Sequence, residues 1–107
     1  MVTARQMDQY NRGDIIVFEF PSDRTRLFIK RIVGLPSETI EIKDGKVFIN
    51  EAPLDEPYVL EVVRSNFLKT VVPPQSFYVL GDNRRSSNDS RSWGPVPQEN
   101  IRGVVRP

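Results

Sequence analysis

Apolar residues in this chain fall in short β-branched runs, and where a period can be read it is two. Residues 14–20 are rich in Ile, Val and Phe, and Pro21-Ser22-Asp23 ends the run. Residues 26–33 alternate well enough to assign faces: Phe28, Lys30 and Ile32 share one side, and Leu27, Ile29, Arg31 and Val33 the other. Gly34-Leu35-Pro36-Ser37 then turns the chain. Residues 39–43 and 46–50 are two strands joined by Asp44-Gly45, the dipeptide that suits a type I′ hairpin because both central residues need positive φ. A turn region over 50–57 carries Pro53 and Pro57. Further strands are predicted at 58–63, 67–72, 76–80 and 101–105, with Pro73-Pro74 stopping the 67–72 run. Nine prolines and six glycines leave no room for a long helix, and only Gln98-Glu99-Asn100, after Pro97, is expected to make a single turn. The expected fold is all-β: a twisted, partly closed antiparallel sheet or barrel around one core. Residues 1–11 show no useful periodicity and are expected to be poorly ordered, with residues 12–107 forming the single domain.

Composition narrows the chemistry. A chain of 107 residues suits one small domain. It has 15 Lys and Arg against 14 Asp and Glu, a net charge of +1, which gives no argument for nucleic acid or an anionic membrane. There is no cysteine, hence no disulfide framework, and no histidine, which removes Ser-His and Cys-His machinery and the commonest zinc sites. Any general base must come from Lys, Asp or Glu. No apolar run approaches the roughly 18 residues of a membrane span, and the first residues lack the apolar centre of a signal peptide. The polypeptide as it stands is expected to be soluble.

The segment with most chemistry runs from Gly81 through Asp82, Asn83, Arg84, Arg85, Ser86, Ser87, Asn88, Asp89, Ser90, Arg91, Ser92 and Trp93 to Gly94. It is a long polar loop after the apolar run Phe77-Tyr78-Val79-Leu80, and a rigid loop on a sheet is where sites are usually built. An arbitrary Ser/Asp/Arg run is more often a solvated surface loop. This one resembles the C-terminal signature of bacterial type I signal peptidases, G-D-N-R-x-x-S-x-D-S-R-x-W-G, with Gly81, Asp82, Asn83, Arg84, Ser87, Asp89, Ser90, Arg91, Trp93 and Gly94 on the pattern. Lys30-Arg31-Ile32-Val33-Gly34-Leu35-Pro36 is similar to the family's K-R-x-x-G-L-P. Arg12-Gly13-Asp14 before Ile15-Ile16-Val17-Phe18 is similar to its R-G-D before an apolar strand.

The resemblance implies cleavage of signal peptides from exported proteins by a Ser–Lys dyad, with no metal or organic cofactor. It assigns the general base to Lys30. A strand lysine is ordinarily a solvated guard against edge pairing, but a lysine among apolar groups gives up its proton more readily and becomes a competent base. Ser87 falls on the family serine that orients that lysine. Asp89 and Arg91 match the structural ion pair of the family loop, and Asp82 is expected to tie loop backbone N–H groups. Asn83, Arg84 and Ser90 complete the structural loop set. Arg84 and Arg85 read equally well as solvated charges, and Arg85 takes no role.

One element is missing. The family nucleophile is a serine in an S-M-x-P-T-like block before the R-G-D segment, and no serine precedes Ser22 here. Thr3 and Tyr10 are the upstream hydroxyls, and no Met-x-Pro follows Thr3. The family's oxyanion site draws on the same block. The chain alone is therefore expected to be inactive. By resemblance its parent is anchored in a membrane with the catalytic domain on the extracytoplasmic side, through an anchor this chain does not contain. The alternative is a non-catalytic relative that binds extended peptides or serves as an assembly module. A small β-barrel nucleic-acid binder using the arginine-rich loop fits poorly with the near-zero net charge.

Overall fold

The computed structural model describes residues 2–3, 10–59, 61–85 and 88–105. The described residues form two antiparallel sheets. The first takes the order β1-β10-β2-β3-β8-β9, from β1 (Val2–Thr3), β2 (Ile15–Phe20), β3 (Asp23–Gly34), β8 (Ser76–Leu80), β9 (Val96–Pro97) and β10 (Ile101–Val105). The second takes the order β6-β5-β4-β7, from β4 (Thr39–Lys43), β5 (Lys46–Ile49), β6 (Ala52–Pro53) and β7 (Phe67–Val71). The antiparallel all-β architecture is as expected, and among the described residues it forms two sheets with no closed barrel. Of the four outer strands, β1, β6 and β9 are two residues long and β7 is five.

Two clusters of buried side chains follow from the alternation along β3 and β8. Ile32, Phe77 and Val79 face Tyr10, Ile16, Phe18, Val96 and Val104. Val33, Tyr78 and Leu80, their neighbours along the chain, point the other way and meet Ile40, Ile42, Val47, Ile49 and Val72 of the second sheet. All five residues of β8 are buried, as a strand covered on both faces must be. This strand leads directly into the polar loop, so the loop starts from a rigid base.

The hairpin at Asp44-Gly45 has the expected two-residue turn, with φ of 54° and 83°. A Cβ at Gly45 would run into the carbonyl oxygen of Val63, so glycine is required both for the turn and for the close approach. The strand expected over 58–63 is absent among the described residues there. Tyr58 and Val59 sit in a turn, in which Val59 N–H donates to the Glu56 carbonyl at 3.2 Å. A short helix not expected from the sequence, α1 (Ser90–Trp93), is capped by the Asp89 carboxylate, which accepts from Arg91 N–H. The 3-10 turn at Gln98–Asn100 is present. Of the segment 1–11, Val2–Thr3 pairs with β10, and Tyr10 is buried with its ring edge-on to Phe77. Residues 4–9 lie outside the described residues.

Candidate active site

β3 carries Lys30 and Arg31 to opposite faces. Lys30 stands opposite Ile16 of β2 and on the side of Phe28 and Ile32. It is partly buried, not enclosed. Phe28 belongs to an aromatic group with Phe18, Phe20 and Trp93, in which Phe20 and Phe28 stack at 4.8 Å and Trp93 meets Phe28 edge-on at 6.0 Å. A cavity of about 150 Å³ is lined by Ile15, Ile29, Lys30, Arg31, Gly81 and Asp82, so the strand lysine and the first residues of the loop border one space. Ile29 and Leu27, on the Arg31 side, are more than half exposed.

The loop is fixed by its own charges. Asp89, fully buried, accepts from Arg91 Nε and Nη2, both at 2.9 Å, and from the backbone N–H groups of Gly81 at 3.0 Å and Arg91 at 3.1 Å. Arg91 Nη2 also donates to the Arg84 carbonyl at 3.0 Å. Ser90 is buried, and its hydroxyl accepts from Val79 N–H at 2.9 Å. Among the described residues Asp82 reaches out of the loop to β3. Its two oxygens accept from Arg31 Nε at 2.8 Å and Nη2 at 2.7 Å, a bidentate pair across 51 residues. The Asp89 carboxylate ties loop backbone, accepting from the Gly81 and Arg91 N–H groups. The Arg31 guanidinium is raised above its ordinary pKa by that hydrogen bond to Asp82, against the opposing effect of burial.

Arg84 is buried rather than solvated. Its Nε donates to the Gly81 carbonyl at 2.8 Å, and its terminal nitrogens donate to Glu56. Arg85 is exposed and pairs with Glu61 on the surface, and Asn83 is exposed. Ser86 and Ser87 lie outside the described residues, and with them the orienting contact expected between Ser87 and Lys30. Burial and then the Asp89 charge push the Tyr78 phenol up to about 12. The R-G-D segment serves as a brace. Gly13 N–H donates to the Ile32 carbonyl at 2.8 Å, and Arg12 forms a bidentate pair with Glu38 at 2.6 and 2.8 Å. Sequence reasoning missed Glu38, Glu56 and Tyr58 and gave Arg31 no role of its own. The available signal was that buried arginines require acids, but the partners are far apart along the chain. Among the described residues no group of three or more His, Cys, Asp or Glu side chains is placed to hold a metal ion, and no helix is long and apolar enough to cross a membrane.

The chain has known counterparts in sequence and in fold. The profile of the signal peptidase, peptidase S26 family matches residues 1–107. A signal peptidase I of Leptolyngbya laminosa is 46% identical over 105 residues, covering 89% of this chain and 51% of that protein. A probable signal peptidase I-1 of Synechocystis sp. is 44% identical over 98 residues, covering 85% and 50%. The crystal structure of a signal peptidase I from Enterococcus faecalis superposes with a TM-score of 0.83 at 34% identity, covering 92% of this chain and 97% of that one. The chain belongs to the peptidase S26 signal peptidase family. It spans about half the length of these two relatives.

Proposed function

We propose that this polypeptide is the base-bearing part of a signal peptidase I, acting on the signal peptides of exported proteins. The observation that carries the reading is the lock between strand and loop: Arg31, the residue after Lys30 on β3, forms a bidentate ion pair with Asp82 at the loop root. In the proposed reaction a serine hydroxyl attacks the scissile carbonyl while Lys30 takes its proton. The proton passes to the leaving amine, and water then clears the acyl-enzyme by the same route. Ser87 orients the Lys30 amine. Asp82, Asn83, Arg84, Asp89, Ser90 and Arg91 hold the loop in shape. Catalysis in the parent protein takes place at the outer face of a membrane to which that protein is anchored.

This chain has no serine before Ser22, so by itself it lacks the nucleophile block. The 107-residue polypeptide incubated with a peptide spanning a signal-peptide cleavage site is expected to give no product by mass spectrometry. Turnover that disappears in Lys30→Ala would overturn this, and would mean that a hydroxyl of this chain has taken the nucleophile's place. The exposed apolar side chains Leu27 and Ile29 on β3 favour a second reading, a module that binds extended peptides without cutting them. Joining the chain to the upstream half of a relative separates the two, because only the first reading then yields cleavage.

A further inference from the structure

The loop's buried arginine takes its counter-charge from neither the loop nor β3. Glu56 accepts from Arg84 Nη2 at 2.6 Å and Nη1 at 3.2 Å, and the two side chains retain only 9% and 5% exposure. The same carboxylate accepts from the Tyr58 hydroxyl at 3.0 Å. The Tyr58 ring lies against the Arg31 guanidinium, 4.1 Å from its carbon to the ring centroid. Arg31 in turn donates to Asp82 and, through Nη1, to the Gly13 carbonyl at 2.9 Å. Arg84 Nε donates to the Gly81 carbonyl, next to Asp82, so a chain of contacts runs from Asp82 through Arg31, Tyr58, Glu56 and Arg84 back to the loop root.

We propose that Glu56 and Tyr58 are positioning residues for Lys30: the turn at 56–58 clamps Arg84 and Arg31 together and so sets both the loop root and the strand that carries the base. The inference rests on the reading of Lys30 as the base. Its physical content is geometric. Arg31 is the next residue on β3 and points to the opposite face, so a guanidinium pinned by a carboxylate, a carbonyl and a ring resists rotation of the strand, and strand rotation is what aims Lys30. Burial, followed by the Glu56 charge, holds the Tyr58 phenol above its ordinary pKa, so it remains a donor to Glu56 at neutral pH. The turn also explains why the described residues of 58–63 make no strand: Tyr58 is held by Glu56 and Arg31.

The test uses the 107-residue chain with Glu56→Gln, Tyr58→Phe and the paired replacement Glu56→Leu/Arg84→Met, and with Val47→Ala in the other core as a control for lost stability. Two quantities are read: the thermal midpoint, and the NMR resonance of the Lys30 side chain, with exposed Lys46 as the internal reference. Glu56→Gln is expected to lower the midpoint by roughly 10 °C and to displace the Lys30 resonance while Lys46 stays in place. The paired replacement is expected to recover the midpoint to within about 4 °C of the original and still to show the displaced resonance. Tyr58→Phe, which leaves no buried charge unpaired, keeps the test available if Glu56→Gln fails to fold, and is expected to displace the resonance with little thermal loss. An unmoved Lys30 resonance in every folded variant, or an equal displacement in Val47→Ala, would overturn the proposal and leave the turn a structural support only. The readout involves no cleavage, so failure of the cleavage assay bears on the role of Lys30 and not on this coupling.

Discussion

Arg91→Ala removes the guanidinium that meets both oxygens of the fully buried Asp89. In the intact loop Arg91 Nε and Nη2 engage both oxygens of Asp89, and Nη2 also reaches the Arg84 carbonyl. The side chains are 10% and 0% exposed, so solvent cannot take over the guanidinium's role. Removing one partner of a buried pair costs about 3–5 kcal/mol because the remaining charge is left uncompensated. Here the Gly81 and Arg91 backbone N–H groups still donate to the carboxylate, which places the expected loss near the lower end, about 3 kcal/mol. At about 4–8 °C per kcal/mol for a domain of this size, the midpoint should fall by roughly 12–24 °C. Differential scanning calorimetry reads this directly, and hydrogen exchange at Gly81 N–H reports whether the loop root opens locally. Arg91→Lys keeps the charge but not the bidentate geometry and should fall between the two. A drop of under about 4 °C for Arg91→Ala, the value of an exposed ion pair, would refute the argument that this pair holds the loop.

Two further predictions concern the frame around the site. Gly45→Ala should destabilise by more than the roughly 1–2 kcal/mol of positive φ alone, because the new Cβ meets the Val63 carbonyl, whereas at Gly13, also at positive φ, nothing lies within 4 Å of a Cβ; equal losses in urea unfolding would contradict the steric part. Burial alone would raise the Glu38 carboxyl, but the hydrogen bonds from Arg12 and from Leu35 N–H outweigh it and hold the group below its ordinary 4.5. That stabilisation is present above pH 4.5 and lost as pH falls through the lower folded value. The thermal advantage of the native chain over Glu38→Gln should therefore shrink between pH 6 and pH 3, and a constant difference would contradict it.

Local signals in the sequence carried most of the strands. Asp44-Gly45 specifies its turn by backbone stereochemistry, and the alternation from Leu27 to Val33 reports the two faces of β3 truthfully. The division into two sheets was not legible, because a strand buried on both faces, as β8 is, reads as the same apolar run in a barrel or in a two-sheet stack. The turn at Tyr58 was misread for a related reason. Tyr58-Val59 has strand propensity, but Glu56 and Tyr58 are claimed by Arg84 and Arg31, and tertiary contacts override so weak a preference. α1 is a single turn and has no period to detect, although Asp89 before it and Gly94 after it are the cap residues such a turn uses. For the site, the family pattern brought Lys30 and the loop to notice. Nothing in the spacing could reveal that Asp82 reaches 51 residues back to Arg31 or that Arg84 takes Glu56.

The central claim is that Lys30 is the base of a signal peptidase site completed by residues upstream of this stretch. The most direct measurement joins the chain to the upstream half of the Leptolyngbya laminosa signal peptidase I and follows cleavage of a signal-peptide substrate with native Lys30 and with Lys30→Met. The account predicts cleavage by the first protein and a fall in kcat of at least about 100-fold in the second, with both equally folded. Cleavage that survives Lys30→Met undiminished would contradict it.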